Sequence, residues 1–538
     1  MDSGHVIGPA AKERSWENRK NFTLLMGMTL VFCFLAASKG PDANWDLLNY
    51  HQYNPFALLN KPFGFDLIPA QLQSFLNPTL DLPYYFFRLH LNNWPRLLNA
   101  IMALPQALAA FLAYRIALET IPEAARGRET LALIAVAFGA TGVASLPTLG
   151  TSQSEMIPAS FLLGGLLLLL RSLTARRVSF TRMAGAGALC GIAFGLKLTL
   201  LPYCLALGVA VTFTCGSLFR GRIISIGSFA FGMSVGALVS AGPWWLRLYS
   251  AYGNPLFPYF NDIFQSPFYD AVRLSDERFK PTDLLHAIFY PFFWATERQS
   301  LIAELPFRDP RLALAYVAII VTATGALLAG KNRFKSGPWL DARGWFFLTF
   351  ISVGFVVWEV QFSILRYLAP LELVSGISLL LAMRPLLAAR IEWFLPHAAF
   401  AGLTVLSLSV TVYPEWGHAP HGPVSARVSL PEFGPDSLVI LLDSTPMSFI
   451  AAFAPATVRF VGANNNLVRP GLKVRLNEKI EQVIRNHKGP IWGLEQAPGE
   501  ANVGLTYFGL HRGEGCLAVQ TNLNNNSVKI CRLFRDNN

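Results

Sequence analysis

The stretch GPDANWDLLNYHQYNPF, residues 40–56, directly follows a long apolar run at residues 22–38. The run is long enough to form a helix that crosses a hydrocarbon core of about 30 Å. Ionised side chains are costly inside a bilayer, so the aspartates after the run are expected to line a wet cavity. The stretch therefore predicts a membrane helix that leads into a polar site at one membrane surface.

Similar apolar runs recur along the 538 residues of the chain, which is 53% hydrophobic and only 14% charged. A soluble protein of this size would carry more surface charge. The runs predict a polytopic α-helical membrane protein with about 11 transmembrane helices. They lie near residues 22–38, 96–118, 130–148, 155–172, 183–197, 199–218, 224–246, 311–329, 345–359, 367–383 and 396–413.

Lys and Arg cluster in short turns between these runs, which explains the net charge of +11 without a nucleic-acid partner. These turns are RGRE (126–129), RSLTARR (171–177), RGR (220–222), KNRFK (331–335) and RPLLAAR (384–390). All fall on one side if the amino terminus is cytoplasmic, as the positive-inside rule predicts. The polar amino terminus lacks a cleavage pattern, so the first run is expected to be a retained helix. An odd helix count then places the carboxyl terminus on the extracytoplasmic side.

The tail changes character near residue 413 and predicts two domains, a membrane domain at 1–412 and an extracytoplasmic α/β domain at 413–538. Strands are predicted at 437–443, 457–462 and 489–495, and a helix at 476–487. Cys516 and Cys531 flank a predicted β-hairpin with an Asn-rich turn. A disulfide across this hairpin is expected if the tail lies in an oxidising compartment.

The opening stretch itself predicts a helix over 41–53, with Pro41 in its first turn and Asn54-Pro55 at its end. Its polar and aromatic residues at three- and four-residue spacings then share one face. These residues are Asp42, Asp46, Asn49, Tyr50 and Tyr53. The alternative is a solvated loop helix with ordinary aspartates and interfacial aromatic residues.

Four further charged residues are predicted on the same membrane face, at the outer ends of other helices: Glu155, Lys197, Arg247 and Arg366. Each basic residue alone could simply extend to the membrane interface. Together with the aspartates they predict a single site in which acids and bases converge. The Pro-broken segment 66–87 predicts short interfacial helices, in which Asp66 and Asp81 have structural roles.

In these motifs the chain resembles the GT-C superfamily of polytopic glycosyltransferases, which use lipid-phosphate-linked sugars. The matching features are GPDANWDLLNYHQY after the first helix, SQSE, GLKLT, GPWWLR with GNPLFPYF, RYLAP, and the tail domain. The resemblance covers about residues 20–412. It implies transfer of a sugar from a polyprenyl-phosphate donor to a glycan, lipid or protein acceptor, with inversion. Since Asp42 and Asp46 are four residues apart and form no Asp-x-Asp pair, a need for Mg²⁺ or Mn²⁺ stays open.

The resemblance also implies roles for individual residues. Asp46 is the expected base for the acceptor proton, with Asp42 as the second candidate. Arg366 and Lys197 are expected to bind the phosphate, with Arg247 next.

The remaining candidates are expected to contact substrate. His51 would assist the phosphate or the acceptor, and Glu155 would hold a sugar hydroxyl or a metal. Tyr50, Tyr53 and Trp45 would stack on sugar or lie at the level of the lipid headgroups.

Three other functions fit the composition. A transporter or flippase for lipid-linked glycans predicts internal repeats and charges near the bilayer midplane, and the sequence shows neither. A ligase or polymerase that transfers whole glycans would use the long outer loop 248–310. A scaffold would use the tail domain to bind a partner. The expected location of the protein is the bacterial inner membrane, with the site and the tail on the periplasmic side.

Overall fold

The computed structural model describes residues 9–173, 179–214, 219–329, 340–388, 394–524 and 528–536. The predicted basic turn 331–335 and parts of two others, at 174–177 and 389–390, lie outside the described residues. The membrane part contains the helices α1 Pro9–Ala37, α2 Tyr53–Asn60, α3 Leu82–Leu91, α4 Pro95–Met102, α5 Leu104–Thr120, α6 Arg128–Ala140, α7 Met156–Ser172, α8 Phe180–Leu196, α9 Leu201–Thr214, α10 Phe219–Tyr252, α11 Asn261–Phe264, α12 Leu284–Thr296, α13 Arg311–Leu328, α14 Ala342–Gln361, α15 Ala369–Ala388 and α16 Phe394–Val410.

Six segments of the described residues are long and apolar enough to span a membrane, so the prediction of a polytopic helical membrane protein is confirmed. They are Ser15–Ala37, Pro95–Thr120, Arg220–Tyr252, Arg311–Leu328, Ala342–Gln361 and Leu365–Leu387. Five shorter apolar helices accompany them, of which α12 lies in the long outer loop where no helix was predicted. The run predicted at 130–148 is helical only as far as Ala140.

The predicted helix over 41–53 is wrong at both ends. Asp42 lies in extended backbone that bridges to His418, and helical structure begins only at Trp45. The side chain of Asn44 accepts a hydrogen bond from the amide of Leu47 at 2.8 Å, so Asn44 acts as the cap that sets the start of the helix. Asp42 and Asp46 therefore do not share a helical face.

The carboxyl-terminal end of that prediction fails because a new helix begins at Tyr53. Pro55 stands in the first turn of α2, where a missing amide hydrogen leaves no helical bond unmade. Between the two, Leu47–His51 forms one turn of π-helix. Single π-turns of this kind are frequent at functional sites.

The tail forms a small α/β domain, as predicted. Its elements are β1 Val428–Ser429, β2 Leu438–Leu441, β3 Arg459–Gly462, α17 Arg475–Asn486, β4 Ile491–Glu495, α18 Pro498–Phe508, β5 Leu510–Arg512, β6 Leu517–Ala518, β7 Gln520–Thr521 and β8 Lys529–Arg535. The main sheet has the order β3-β2-β4-β8-β5, with β2, β3 and β4 parallel and β8 antiparallel to β4 and β5. Strand β6 pairs with β8 in the predicted hairpin, and a disulfide joins Cys516 to Cys531.

The tail domain packs directly on residues 40–95, the loop that follows α1 and is predicted to lie on the extracytoplasmic side, called below the first outer loop. Leu67 extends the sheet at the edge of β3, because its amide donates to Phe460 O and its carbonyl accepts from Gly462 N. The hydroxyl of Ser448 donates to the carbonyl of Asn49 inside the π-turn. An apolar core shared by Tyr50, Tyr53 and the segment 447–451 fills the interface. The tail domain thus holds in place the loop that carries Asp46.

Helices α8 and α10 pack closely through glycines at four-residue intervals. A Cβ atom added to Gly187 or Gly191 would lie 2.0 Å from the carbonyl oxygen of Phe229 or Met233, respectively. Small residues at such intervals allow two membrane helices to bring their backbones together.

We expect Gly191→Ala to destabilise the protein by about 1–3 kcal/mol, because the added methyl group must push the two backbones apart. Gly185→Ala is the matched control, since nothing lies within 4 Å of a Cβ atom at this position of the same helix. Thermal unfolding of the full chain in detergent checks the difference. Equal melting temperatures for the two variants would show that the contact does not constrain the helices.

Candidate active site

The position of Asp46 depends on a short chain of hydrogen bonds that begins at Asp42. One oxygen of Asp42 accepts from the side chain of Asn44 at 2.6 Å, and the other accepts from the amide of Ser152 at 2.6 Å. Asn44 in turn caps the helical segment that carries Asp46. Because protein donors occupy both oxygens of Asp42, the structure gives Asp42 a positioning role, and Asp46 stays the better candidate for chemistry.

Asp46 forms a buried ion pair with Arg366, whose Nη1 donates to Asp46 Oδ2. The two side chains are only 7% and 12% exposed. Arg366 lies in the short 3₁₀-helix Leu365–Leu368 that leads into α15. Its guanidinium also lies 5.2 Å from the ring centre of Trp416, a residue just after α16 that sequence reasoning missed. The expected meeting of the first outer loop with the late RYLAP segment is therefore present.

A second ion pair joins Lys197 Nζ to Glu155 Oε1 at 2.6 Å. Glu155 precedes the first residue of α7, and Lys197 follows the last residue of α8, so both occupy the same end of the bundle. The ammonium group also faces the ring of Tyr367 at 5.8 Å, next to Arg366 in the chain. The pair thus borders the Asp46–Arg366 pair.

A third pair brings in Asp81, which the sequence analysis had assigned a structural role. His51 Nδ1 lies 2.5 Å from Asp81 Oδ1, and the two side chains are 2% and 3% exposed. The ring of Tyr50 lies 4.1 Å from the imidazole of His51, so Tyr50 packs against the site. Asp81 was missed because its partner is thirty residues away in sequence.

Several buried polar atoms of these residues make no hydrogen bond within the part of the chain that the structure describes. They are Glu155 Oε2, His51 Nε2, Arg366 Nε, Trp416 Nε1 and both side-chain atoms of Gln52. Buried polar groups in native proteins nearly always have partners. A concentration of unpaired donors and acceptors around three ion pairs is therefore the expected surface of a site for a polar ligand.

The charges of the site shift the pKa values of its acids and of its histidine. Burial would raise the pKa of Asp46, but Arg366 and His51 outweigh it and hold that pKa below its usual range. Burial likewise opposes ionisation of Glu155, and Lys197 and Arg366 keep its pKa low. For His51, burial favours the neutral ring, but Asp81 raises the pKa above its usual value. Burial raises the pKa of Asp81 itself, although His51 opposes this shift. The site therefore favours the ionised form of Asp46 and Glu155, and the pairing with Asp81 favours the charged form of His51.

Two predicted residues do not join this cluster. Tyr53 donates its hydroxyl to Asp66 at 2.9 Å, and Asp66 is in turn paired with Lys61. Arg247 lines a separate cleft with Tyr53 and Asp66, and no contact in the described residues joins it to Asp46 or Arg366. The prediction that Arg247 shares the phosphate site with Arg366 therefore gains no support from the geometry.

No group of three or more His, Cys, Asp or Glu side chains in the described ranges is arranged to hold a metal ion. Glu155, the residue proposed from the sequence as a metal ligand, is paired with Lys197 instead. We assign no metal ligands.

Asp81→Asn should lower the pKa of His51, because the negative charge that stabilises the imidazolium is removed while burial still favours the neutral ring. In the wild type, protonation of His51 should contribute its full stability below about pH 6.5, the unperturbed histidine pKa, and this contribution should be lost as the pH rises through the raised pKa of His51. NMR titration of ¹⁵N-histidine in the full chain checks this, with the His51→Gln spectrum identifying the signal. An unchanged His51 titration in Asp81→Asn would contradict the assigned ion pair.

Comparisons with known proteins found several solved structures, among them two of the same protein. No family model matches, and no curated protein matches. The crystal structure of ArnT from Cupriavidus metallidurans bound to undecaprenyl phosphate has 12% identity and a TM-score of 0.48, covering 95% of this chain and 97% of that one. The apo structure of the same protein has 12% identity and a TM-score of 0.43, covering 97% and 98%.

Proposed function

We propose that this protein is a membrane glycosyltransferase that moves a sugar from a polyprenyl-phosphate donor to an acceptor outside the cytoplasm. The observation that carries the proposal is the buried pairing of Asp46 with Arg366 beside Glu155 and Lys197. These residues come from separate helix ends and meet at one end of the bundle. A hydrophobic lipid tail and a charged headgroup can both reach such a place.

The two cations retain donors for the phosphate of the donor lipid. Arg366 uses Nη1 for Asp46 and leaves Nε without a partner in the described residues. Lys197 has three donor hydrogens and donates one to Glu155. A phosphate can therefore bind both groups, and Arg can offer it two parallel hydrogen bonds. As the bond from the sugar to the phosphate breaks, these charges stabilise the growing negative charge on the leaving oxygen.

Asp46 is the proposed base. Its low pKa keeps it ionised, and Arg366 occupies only Oδ2 among the described contacts. In the transfer, the acceptor hydroxyl gives its proton to Asp46 and its oxygen forms the new bond to the anomeric carbon. The phosphate leaves with the electron pair of the old bond. Attack from the face opposite the phosphate inverts the anomeric configuration.

Two neighbouring side chains complete the proposed site. His51, whose pKa is raised by Asp81, can in its protonated form donate from Nε2 to the phosphate or the sugar. Glu155 Oε2 has no partner in the described residues and can accept from a sugar hydroxyl. The acceptor is a glycan, a lipid or a protein. The basic turns favour an inner-membrane protein whose site faces the periplasm.

Asp46→Asn should reduce transfer by at least about 100-fold, because the amide cannot accept the proton. The measurement is the mass shift of surface glycans that the protein restores to cells lacking it. Asp262→Asn is the matched control, an exposed aspartate of the outer loop. Size-exclusion chromatography establishes that both variants fold. Full restoration by a folded Asp46→Asn protein would remove Asp46 from the reaction.

Arg366→Lys should lower transfer by about tenfold, since the charge remains but the paired hydrogen bonds to phosphate are lost. The loss should shrink when the donor lipid is raised, because the change weakens donor binding. Arg298→Lys, at an exposed position of the outer loop, controls for the substitution. A loss that does not respond to donor concentration would argue against phosphate binding by Arg366.

A further inference from the structure

A second polar cleft lies beside the first outer loop, outside the three ion pairs. It has a cavity volume of about 80 Å³ and opens to solvent, between the segment 53–75 and the end of α10. Its lining includes Tyr53, Asn54, Lys61, Asp66, Trp244 and Arg247. We call it the aromatic cleft.

One wall of the aromatic cleft offers fixed ring faces. The indole nitrogen of Trp244 donates to the carbonyl of Phe75 at 2.9 Å, which fixes the orientation of the ring. Phe63 meets Trp244 edge-to-face with ring centres 5.6 Å apart and is 43% exposed. Rigid aromatic side chains that remain partly exposed suit the apolar face of a sugar ring.

A second wall contains polar atoms without partners. Asn54 is 5% exposed, and its Nδ2 donates to the carbonyl of Gln73 at 2.9 Å. Its Oδ1 and the hydroxyl of Ser74 make no hydrogen bond within the described ranges. Unpaired buried groups at the edge of a cavity are costly unless a ligand or water satisfies them. Here they can accept from or donate to sugar hydroxyls.

The charge of the cleft is positive. Lys61 and Asp66 form a nearly fully buried pair at 2.8 Å, so their charges compensate each other. Asp66 is further held by Tyr53 and by the amide of Phe460 at 2.8 Å, which makes the pair part of the wall. Arg247 is exposed near the end of the span Arg220–Tyr252, and the described residues include no acid paired with it. One cation therefore remains for a negatively charged ligand.

We infer that the aromatic cleft binds an anionic saccharide, with its ring on Trp244 and its carboxylate or phosphate on Arg247. Resting on the proposed function, the inference assigns this saccharide to the acceptor. Asn54 follows Asp46 by eight residues, with only the π-turn Leu47–His51 and the start of α2 between them, so one short segment supplies both the base and a wall of the cleft. An acidic sugar in the cleft can thus place a neighbouring hydroxyl near the base.

Saturation-transfer NMR on the full chain in detergent tests the inference, with glucuronic acid, glucose 6-phosphate, glucose and inorganic phosphate as probes. We expect the two acidic sugars to receive saturation on their ring protons and glucose to receive at least fivefold less. Equal signals from glucose, or displacement of glucose 6-phosphate by an equal concentration of inorganic phosphate, would overturn the inference. In those cases the cleft would not combine sugar and charge recognition.

Substitutions of lining residues test whether the acidic sugars bind in the aromatic cleft. Arg247→Gln should remove at least four-fifths of the acidic-sugar signal, while Arg220→Gln, at the other end of the same helix, should not change it. Trp244→Leu should also lose the signal, and Trp244→Phe should retain most of it. A signal that survives Arg247→Gln would overturn the inference.

Two further experiments distinguish a saccharide from a phospholipid headgroup as the ligand, and distinguish this inference from the proposed transfer reaction. In nanodiscs of phosphatidylglycerol the acidic-sugar signal should persist. Loss of this signal would show that a phospholipid headgroup occupies the cleft, and it would overturn the inference that the ligand is a saccharide. Asp46→Asn should bind the acidic sugars as the wild type does. Absence of binding in both proteins refutes this inference alone, whereas the glycan assay of Asp46→Asn judges the transfer reaction.

Discussion

The ion pair between Asp46 and Arg366 connects parts of the chain that are 320 residues apart. Two charges removed from water are costly, and their attraction compensates only when the geometry is good and the remaining polar atoms are satisfied. The neighbouring Glu155–Lys197 pair adds equal and opposite charges, so the two pairs together are neutral. Removing any one member would leave a buried charge without compensation. The site thus depends on the mutual placement of the helix ends that supply these residues.

That placement is maintained from outside the membrane part as well as within it. Asp42 orients Asn44, Asn44 caps the helical segment, and Ser448 of the tail domain binds the carbonyl of Asn49 in the π-turn. Leu67 continues the tail sheet at the edge of β3. A catalytic carboxylate must be held by neighbours whose own positions are fixed. The tail domain accordingly supports the first outer loop, and the described contacts of Asp46, Arg366, Glu155 and Lys197 include no residue of its sheet.

Sequence patterns predicted the helices and strands that depend only on residues close together in the chain. The membrane helices follow from the length of their apolar runs, and β2, β3, β4 and α17 follow from short periodic segments in the tail. The start of the helix at Trp45 was missed because the side chain of Asn44 competes with the turn that Pro41 suggested. Asp81 and Trp416 were missed because their roles arise from partners distant in sequence. Arg247 was grouped with Arg366 because topology gives the membrane face of a residue but not its lateral position.

The two sites differ in charge, and this difference has a consequence for the order of events. In the described state Arg366 binds Asp46, so the proposed base is engaged before any ligand arrives. A donor phosphate that binds Arg366 competes with this carboxylate and weakens its hold. The carboxylate is then freer to accept a proton, and its pKa rises as the nearby cation becomes neutralised. In the proposed reaction, the base is therefore activated only after the donor is bound. The aromatic cleft has no such internal pair at Arg247, so an anionic acceptor can bind there without displacing a protein carboxylate.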